Sequence, residues 1–324
     1  MNIFVNKIKY LSIFVFMFLI FLSAIEARNE YFRLKEEGEF SSKKARSLIF
    51  LKKYIYIADE KNGLVIIKFM GNSYLKKVSS LNLKGKVYDV AVNGGYAYIA
   101  SEKEGLIVVD ITDNFHPKKI GKRFIKGKIV RVVYNKGYVY IADKNGKVFI
   151  VDVKDKFSPK IVGSFFTDAV YDIFVKDKFL YIAAGREGLV IVDISRKDDP
   201  KEIGRYSTGE KAKRVTVNGD YAYVNERYHG ILILDVSDKA APSEVGFYKN
   251  RSKISNIFVK DDYLYLGDSE GKLIVLDVKD KSFLKTVVEI NTGEKIRDIF
   301  VEREKIFLAA EKRIKIFRFD FSNE

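Results

Sequence analysis

The sequence contains no cysteine among its 324 residues. This absence excludes disulfide bonds, thiolate metal sites and a cysteine nucleophile, and it also excludes the lipid-modified cysteine of a bacterial lipoprotein. Tryptophan is absent as well, and the chain has only four prolines and two histidines. Any catalytic or metal chemistry must therefore depend on carboxylates, hydroxyls, amines or one of two imidazoles.

The two histidines, His116 and His229, lie in different segments with loop composition, one before a proline and the other before a glycine. A Ser-His-Asp triad or a histidine metal site requires an imidazole beside suitable partners in a pocket. Their positions favour two surface histidines instead. We therefore predict no catalytic residue, no metal site and no cofactor.

Residues 29–324 also lack a convincing helical period of apolar residues. They consist of short runs rich in β-branched and aromatic residues, separated by turns that contain glycine, asparagine and aspartate. Such runs are typical of strands and hairpins. We therefore expect an all-β fold.

One apolar motif that ends in aspartate recurs along the chain. Its copies are Gly105–Asp110, Lys147–Asp152, Gly188–Asp193, Gly230–Asp235 and Lys272–Asp277. Successive final aspartates are 41 or 42 residues apart, and a fixed period of this length indicates a repeat architecture. Because equivalent sites lie far apart in a repeat protein, we interpret these aspartates as acceptors for turn amides and not as ligands of one metal ion.

Each block contains four short strands and no helix, which predicts one blade of a β-propeller. Seven blocks begin, but the last one, Ile296–Glu324, supplies only three strands. The missing outer strand matches the N-terminus, because Leu34–Phe50 follows the pattern of Pro200–Val217. We predict a seven-bladed β-propeller of four-stranded antiparallel blades, in which the N-terminal strand closes the last blade.

The N-terminus has the order of a secretory signal peptide. Two lysines precede an apolar run, Leu11–Leu22, and small residues follow it. We predict a signal peptide over residues 1–27, cleaved after Ala24 or Ala27, with an uncleaved anchor as the alternative. The run is shorter than the roughly 20 residues of a membrane-spanning helix. We expect residues 28–324 to form one propeller without a transmembrane span, located in the periplasm, at the cell surface or outside the cell.

The motif reads LVIVD at Leu189–Asp193, and the mature chain resembles proteins that carry the LVIVD repeat. The first block departs from the motif with LVIIK at Leu64–Lys68, and the last with IKIFRF at Ile314–Phe319. The resemblance implies a secreted or surface-exposed bacterial or archaeal β-propeller, from a family mostly without an assigned activity. The absence of tryptophan argues against WD40 and PQQ-type propellers, and the absence of paired glycines in the second strand argues against kelch repeats.

One polar residue stands early in the innermost strand of every block, and we call these residues the polar ring. They are Ser47, Asp89, Arg131, Asp172, Arg214, Asn256 and Asp298. Acidic and basic residues alternate from Asp89 to Arg214, which predicts ion pairs between neighbouring blades at one mouth of the central channel. We interpret the polar ring as a structural device that fixes blade register, with a ligand site as the alternative.

The connections that lead from each outer strand to the next inner strand are rich in lysine. Nine of these side chains, which we call the loop cations, are candidate ligand-binding residues: Lys84, Lys86, Lys126, Lys128, Lys211, Lys213, Arg251, Lys253 and Lys295. Lys43, Lys44 and Arg297 extend the series, and only the connection that contains Asp168 interrupts it. In a propeller these connections gather on one face around the channel, where they would attract anions. Lysines that merely keep the loops soluble are the alternative.

The net charge of +15 favours an anionic partner, and export argues against nucleic acid. Our favoured hypothesis is a monomeric, non-enzymatic propeller that binds a protein or an anionic envelope component, such as a glycan or a lipid head group, through the loop cations. A second hypothesis is an envelope scaffold with broad protein contacts. A third is a hydrolase or lyase that uses Asp89, Arg131, Asp172 and Arg214 at the channel mouth, although fold analogy alone establishes no activity.

Overall fold

The structure is a computed structural model that describes residues 33–71, 74–227 and 229–320. Within these residues every strand belongs to one of seven four-stranded antiparallel sheets. Glu36–Arg318 form one compact unit. The remaining residues form a second unit, of which residues 33–35 and 319–320 are described as the ends of two strands.

The predicted signal peptide, residues 1–27, lies outside the described residues. No helix of the length and apolarity that a bilayer crossing requires occurs in the part of the chain that the structure describes.

The chain begins with β1 (Arg33–Ser41) and then builds its blades in order. Blade 1 contains β2 (Ala45–Leu51), β3 (Tyr54–Asp59), β4 (Gly63–Phe69) and β5 (Leu75–Leu81). Blade 2 contains β6 (Val87–Asn93), β7 (Tyr96–Ser101), β8 (Gly105–Asp110) and β9 (Lys118–Arg123). Blade 3 contains β10 (Ile129–Asn135), β11 (Tyr138–Asp143), β12 (Lys147–Asp152) and β13 (Lys160–Phe166).

The later blades repeat this arrangement. Blade 4 contains β14 (Asp172–Lys176), β15 (Phe179–Ala183), β16 (Leu189–Asp193) and β17 (Lys201–Tyr206). Blade 5 contains β18 (Ala212–Asn218), β19 (Tyr221–Glu226), β20 (Gly230–Asp235) and β21 (Ser243–Lys249). Blade 6 contains β22 (Ile254–Lys260), β23 (Tyr263–Asp268), β24 (Lys272–Asp277) and β25 (Lys285–Asn291). Blade 7 contains β26 (Ile296–Glu302), β27 (Lys305–Ala310) and β28 (Arg313–Asp320).

Blade 7 takes its fourth strand from the other end of the chain. Its sheet has the order β1-β28-β27-β26, whereas each of the other sheets is built from four consecutive strands. The seven-bladed propeller and the N-terminal strand that closes its last blade are therefore both confirmed. This closure leaves no blade with only three strands among the described residues.

The third strand of blade 4 is apolar up to its final aspartate because its two faces pack against different neighbours. In blade 4, Leu189 and Ile191 join a core cluster with residues of blade 5, such as Val215. Val190 and Val192 point the other way and join a cluster with residues of blade 3. Since successive side chains of a strand alternate between faces, a strand buried on both sides must be apolar at every position.

The aspartate that ends the motif caps the turn that follows. The Asp193 carboxylate accepts a hydrogen bond from the Ser195 backbone amide at 2.7 Å. The same acceptor–donor pairs recur as Asp110–Thr112, Asp152–Lys154, Asp235–Ser237 and Asp277–Lys279, at 2.7–2.9 Å. The interpretation of these aspartates as turn acceptors is confirmed.

A lysine from the next blade joins adjacent blades at the outer strand. In blade 5 the Lys239 ammonium donates to the Val236 carbonyl and lies 5.3 Å from the ring centroid of Phe179 in blade 4. The Lys239 carbonyl oxygen approaches Gly204 so closely that a Cβ atom at position 204 would overlap it. Lys156, Lys197 and Lys281 repeat the arrangement with Gly121, Gly163 and Gly246.

Replacing Gly204 with alanine is expected to lower the free energy of unfolding by about 1–3 kcal/mol, because the new methyl group forces the Lys239 loop away from blade 4. Urea denaturation measures the change. Gly209→Ala is the matched control, since a Cβ atom there meets nothing within 4 Å. Both substitutions restrict the unfolded chain equally. An equal cost for the two would contradict the steric explanation.

Candidate functional site

The polar ring lies where the innermost strands begin. Five of its members line a cavity of about 760 Å³ at that end of the channel: Ser47, Asp89, Arg131, Arg214 and Asn256. The other two, Asp172 and Asp298, are buried and contact Arg131. All seven residues are thus brought together by the fold.

Arg131 is the shared partner of three carboxylates in the polar ring. Its Nε lies 3.2 Å from Asp172 Oδ1 and 3.7 Å from Asp89 Oδ2, and its Nη1 lies 3.8 Å from Asp298 Oδ1. Burial disfavours its charge, but the three carboxylates raise the pKa of Arg131 above its usual value. The ion pairs expected between neighbouring blades therefore form around Arg131, and one more reaches across the ring to blade 7.

The same carboxylates also join each blade to the next one through backbone amides. Asp89 accepts from the Val132 amide at 2.7 Å, and Asp172 accepts from the Val215 amide at 3.2 Å. Asp298 accepts from the Leu48 amide at 3.0 Å, which joins the last blade to the first. These contacts explain why acidic residues occupy the ring position in blades 2, 4 and 7.

Burial is the main cause that raises the pKa of Asp298 to about 6, and the charge of nearby Asp89 contributes to the rise, whereas Arg131 and the Leu48 amide oppose it. Burial likewise raises the pKa of Asp89, against the lowering effect of Arg131. The floor of the cavity thus holds one guanidinium among three buried carboxylates. The acidic groups outnumber the cation there, which is consistent with the raised pKa values of Asp89 and Asp298.

Arg214 forms a different contact from Arg131. Its Nε donates to the Ser255 carbonyl oxygen at 2.6 Å, in the neighbouring blade 6. Asn256 donates from its side-chain amide to Asp298 at 2.9 Å. These two ring residues hold blades together through hydrogen bonds and not through ion pairs of their own.

The wall of the cavity is strongly basic. Eleven of the described residues that line it are cationic: Arg46, Lys128, Arg131, Lys144, Lys211, Lys213, Arg214, Arg227, Lys253, Lys295 and Arg297. Among these lining residues only Asp89 is acidic, and it contacts Arg131. We call this space the basic cavity.

The loop cations divide into those that line the basic cavity and those that do not. Five of them line the basic cavity: Lys128, Lys211, Lys213, Lys253 and Lys295. Each stands one or three positions before its ring residue. The other four do not line it: Lys84, Lys86, Lys126 and Arg251. Three of these stand five positions before the ring residue, and the fourth, Lys86, lies 4.0 Å from Glu60.

The sequence did not single out several residues of the wall. Arg46 and Tyr171 stand directly before a ring residue, as Lys213 does, so their position was readable. Lys144 and Arg227 instead follow the second strand of blades 3 and 5. Their only sequence signal is a constant spacing of 13 residues from the ring residue of the same blade.

The position that carries Lys144 and Arg227 makes the cavity asymmetric. In blades 1 and 7 it carries Glu60 and Glu311, which neutralise nearby bases. Glu60 pairs with Lys44 at 3.0 Å and also with Arg46, and Glu311 pairs with Arg297 at 2.7 Å. The positive charge is therefore compensated on the side of blades 7 and 1, and it is concentrated on the side of blades 3 to 5.

The histidines lie outside this cavity. His116 Nδ1 lies 2.7 Å from Asp113 in an exposed loop, and His229 Nδ1 lies 3.2 Å from the Arg227 carbonyl oxygen. Among the described residues no group of histidine, aspartate and glutamate has the arrangement of a metal site.

Comparisons with known proteins support the repeat and the fold. A sequence model described as the LVIVD repeat matches residues 42–68, 84–122, 126–167, 169–208, 209–250 and 253–292. No curated protein matches the sequence significantly.

Two solved structures are similar over 88% of this chain and 99% of theirs. One is the computationally designed Ika8 protein, with a TM-score of 0.69 and 9% sequence identity. The other is the β-propeller domain of Cps50 (Swd1) from Myceliophteria thermophila, with a TM-score of 0.73 and 13% identity. At such identities the likeness shows the fold alone.

Proposed function

This chain belongs to the LVIVD repeat family, and on that premise we propose that it is an exported, non-enzymatic binding propeller that engages an anionic partner of the cell envelope through the basic cavity. A binding or scaffold role fits the fold and the repeats in general. The observation that carries the finer proposal is the lining of the cavity, where eleven cationic side chains surround a single carboxylate among the described residues.

Several wall lysines crowd one another, and in the described part of the chain no ion pair engages Lys211, Lys253 or Lys295. Burial lowers the pKa of Lys295, and the positive charges of Arg297 and Lys253 lower it further. Cations that raise each other's energy in a concave, partly desolvated space create a strong positive potential. An anion that enters the cavity relieves this repulsion, and binding gains the corresponding free energy.

The size of the cavity fits a small anionic group or the end of a larger polymer. A volume of about 760 Å³ lies within the range of roughly 300–1,000 Å³ that ligand pockets usually have. A sugar phosphate, an acidic sugar or a lipid head group fits this volume. The exported location rests on the order of charged, apolar and small residues at the N-terminus.

The hydrolase or lyase alternative has less support. Its acid and base candidates, Asp89 and Asp172, already accept hydrogen bonds from backbone amides of the next blade and contact Arg131. Arg214 is bonded to the Ser255 carbonyl. A raised carboxyl pKa marks an acid catalyst only when the group is free to meet a substrate.

Two matched quadruple variants test the proposal. The inner variant replaces four cations that line the cavity with glutamine: Lys128, Lys211, Lys253 and Lys295. The outer variant replaces four that do not: Lys84, Lys86, Lys126 and Arg251. We expect the inner variant to bind anionic lipid vesicles and lipopolysaccharide at least about tenfold more weakly, since each lost ammonium removes a charge-assisted hydrogen bond.

The outer variant is the control, because it also removes four positive charges but none of them lines the cavity. We expect its affinity to fall by less than about twofold at moderate ionic strength, where exposed charges are screened. Equal losses of affinity in the two variants would contradict the proposal that the cavity is the binding site. A protein partner that is captured from envelope extracts in a fixed ratio, and whose binding is insensitive to salt, would favour the scaffold hypothesis instead.

A further inference from the structure

Blade 4 departs from the other blades at the rim of the basic cavity. Three positions before the ring residue, six blades carry lysine, whereas blade 4 carries Ala169. The position that holds Lys144 in blade 3 and Arg227 in blade 5 holds Gly185 in blade 4. Blade 4 therefore contributes no cation at either position, and its most prominent side chain at the cavity is Tyr171.

Lysines from both neighbouring blades converge on the Tyr171 ring. Lys213 Nζ of blade 5 lies 3.1 Å from the ring centroid, and Lys144 Nζ of blade 3 lies 5.6 Å from it. Gly185 makes room for the ring, because a Cβ atom there would lie 2.9 Å from Tyr171 Cε2. The ring is thus held between two ammonium groups at the cavity wall.

In the part of the chain that the structure describes, the ammonium groups around Tyr171 have no anionic partner. Within residues 33–71, 74–227 and 229–320, no ion pair engages Lys144, Lys211 or Lys213. Glu187, an acid of blade 4, is used elsewhere, since it pairs with Arg205 at 2.8 Å and accepts the Asp168 amide at 3.1 Å. This contrasts with blades 7 and 1, where glutamates neutralise the corresponding bases.

The titration of the phenol reflects the local excess of positive charge. A hydrogen bond from Lys213 lowers the pKa of Tyr171, burial opposes the shift, and the charges of Lys213, Lys144 and Lys211 lower the pKa further. Burial lowers the pKa of Lys213 itself, and the charges of Arg227 and Lys144 add to that effect, against the hydrogen bond to Tyr171.

We propose that Tyr171, Lys144, Lys211 and Lys213, which we call the Tyr171 subsite, bind the phosphate monoester group of the anionic partner. This inference rests on the proposed function and places its charged group at one position of the wall. A phosphate monoester carries nearly two negative charges and three terminal oxygens, enough to accept from three ammonium groups. A carboxylate has one charge and two oxygens, so it leaves part of the subsite uncompensated.

The test uses the whole protein with inorganic phosphate, glucose 6-phosphate, acetate and sulfate as probes. Calorimetry gives the affinities. NMR of the protein with isotope-labelled tyrosine follows the ring of Tyr171. Its signal is assigned as the one that is missing from the spectrum of the Tyr171→Phe variant. We expect phosphate and glucose 6-phosphate to bind at least about tenfold more tightly than acetate. Bound phosphate should also raise the Tyr171 pKa toward its usual value, because the dianion offsets the lysine charges.

Lys213→Gln tests the position of the subsite, and Lys253→Gln is its control. Both remove one cation from the cavity wall, but Lys253 lies on blade 6, outside the subsite. We expect Lys213→Gln to weaken phosphate binding about tenfold and Lys253→Gln to weaken it by less than about twofold. Equal losses of phosphate affinity would show that the positive potential of the whole cavity binds the anion, and this result would overturn the subsite. The proposed function would not be affected, because it is tested separately by polyanion binding to the inner and outer variants.

Two further outcomes decide the ligand chemistry. Acetate binding as tightly as phosphate would overturn the assignment to a phosphate monoester, whereas sulfate, a dianion with equivalent acceptor oxygens, should bind about as tightly as phosphate. Vesicles that contain phosphatidic acid, a monoester, are compared with vesicles that contain phosphatidylglycerol, a diester. A preference for phosphatidic acid that Lys213→Gln abolishes indicates a lipid source, and tight binding of glucose 6-phosphate without a vesicle preference indicates a sugar phosphate. If no anion or polyanion binds the protein, the proposed function itself fails.

Discussion

Replacing Arg131 with methionine is expected to lower the free energy of unfolding by about 3–5 kcal/mol near neutral pH, the usual cost of removing one partner from a buried ionic network. The guanidinium is the common partner of Asp89, Asp172 and Asp298, at 3.2–3.8 Å. Methionine occupies a similar volume without the charge. It therefore leaves three buried carboxylates with no cation between them, and urea denaturation measures the loss.

The loss is expected to shrink as the pH falls. Burial raises the pKa of Asp298 to about 6 in the folded protein, above its ordinary value of 3.8. Between these two pH values the folded state holds a proton that the unfolded state releases, so this group makes the protein more stable as the pH falls. Arg131 opposes the rise in the pKa of both Asp298 and Asp89, so its removal raises these pKa values further.

Arg131→Met should thus recover part of its lost stability between about pH 8 and pH 5, more steeply than the wild-type protein gains stability over the same interval. Arg214→Met is the control at the equivalent ring position. Arg214 donates to a backbone carbonyl and has no ion pair in the described part of the chain, so we expect a loss of about 1 kcal/mol with little pH dependence. The same loss and the same pH slope in both variants would contradict the special role of Arg131.

The fold was predictable because every level of the sequence repeats the same information. The apolar motif and its final aspartate recur at one spacing in five blocks, and in four of these a proline stands seven residues after the aspartate, so each block supports the interpretation of the others. The N-terminal strand was found because Leu34–Phe50 follows the outer-strand pattern. The pairing of this strand with β28 could therefore be predicted without any information about contacts between distant residues.

The candidate site was predictable only in part, because its members come from different loops. The polar ring and the loop cations recur at fixed positions, so their gathering on one face followed from the fold. Which cations line the cavity does not follow from spacing alone: Lys128 lines it, whereas Lys86, also three positions before its ring residue, does not. Lys144 joins the wall from a different hairpin, and Arg131 reaches Asp298 in blade 7 across the closed ring. Neither contact is visible in the spacing within one block.

The closure of the ring depends on charges that the repeat pattern did not reveal. In β1, Glu36 pairs with Lys315 at 3.5 Å, and Glu39 pairs with Arg313 at 2.9 Å. Glu37 pairs with Arg318 at 3.1 Å and also with Lys305. The side chains of Lys315 and Glu37 are only 10% and 15% exposed, so solvent screens these pairs less than ordinary surface ion pairs.

Replacing Glu36, Glu37 and Glu39 together with lysine is expected to lower the free energy of unfolding by about 2–4 kcal/mol, because four attractions become repulsions at the strand that closes the ring. A detached β1 would also leave β28 as an unpaired edge, which favours aggregation. Urea denaturation at low and high NaCl concentration measures the loss. It should diminish at high salt, since screening weakens the repulsion.

Two comparisons separate ring closure from a general effect of added charge. Replacing Lys305, Arg313 and Lys315 with glutamate in the same protein restores three of the four pairs in reverse, and we expect it to recover part of the lost stability. Replacing Glu210, Glu270 and Glu304 with lysine adds the same charge at exposed positions that have no ion pair in the described chain, and we expect a change within about 1 kcal/mol. If the reversed pairs give no rescue, β1 is held by its backbone ladder alone. If they do, the N-terminal strand is the part of the propeller whose attachment responds to ionic strength, because the other blades are closed by consecutive strands of one chain segment.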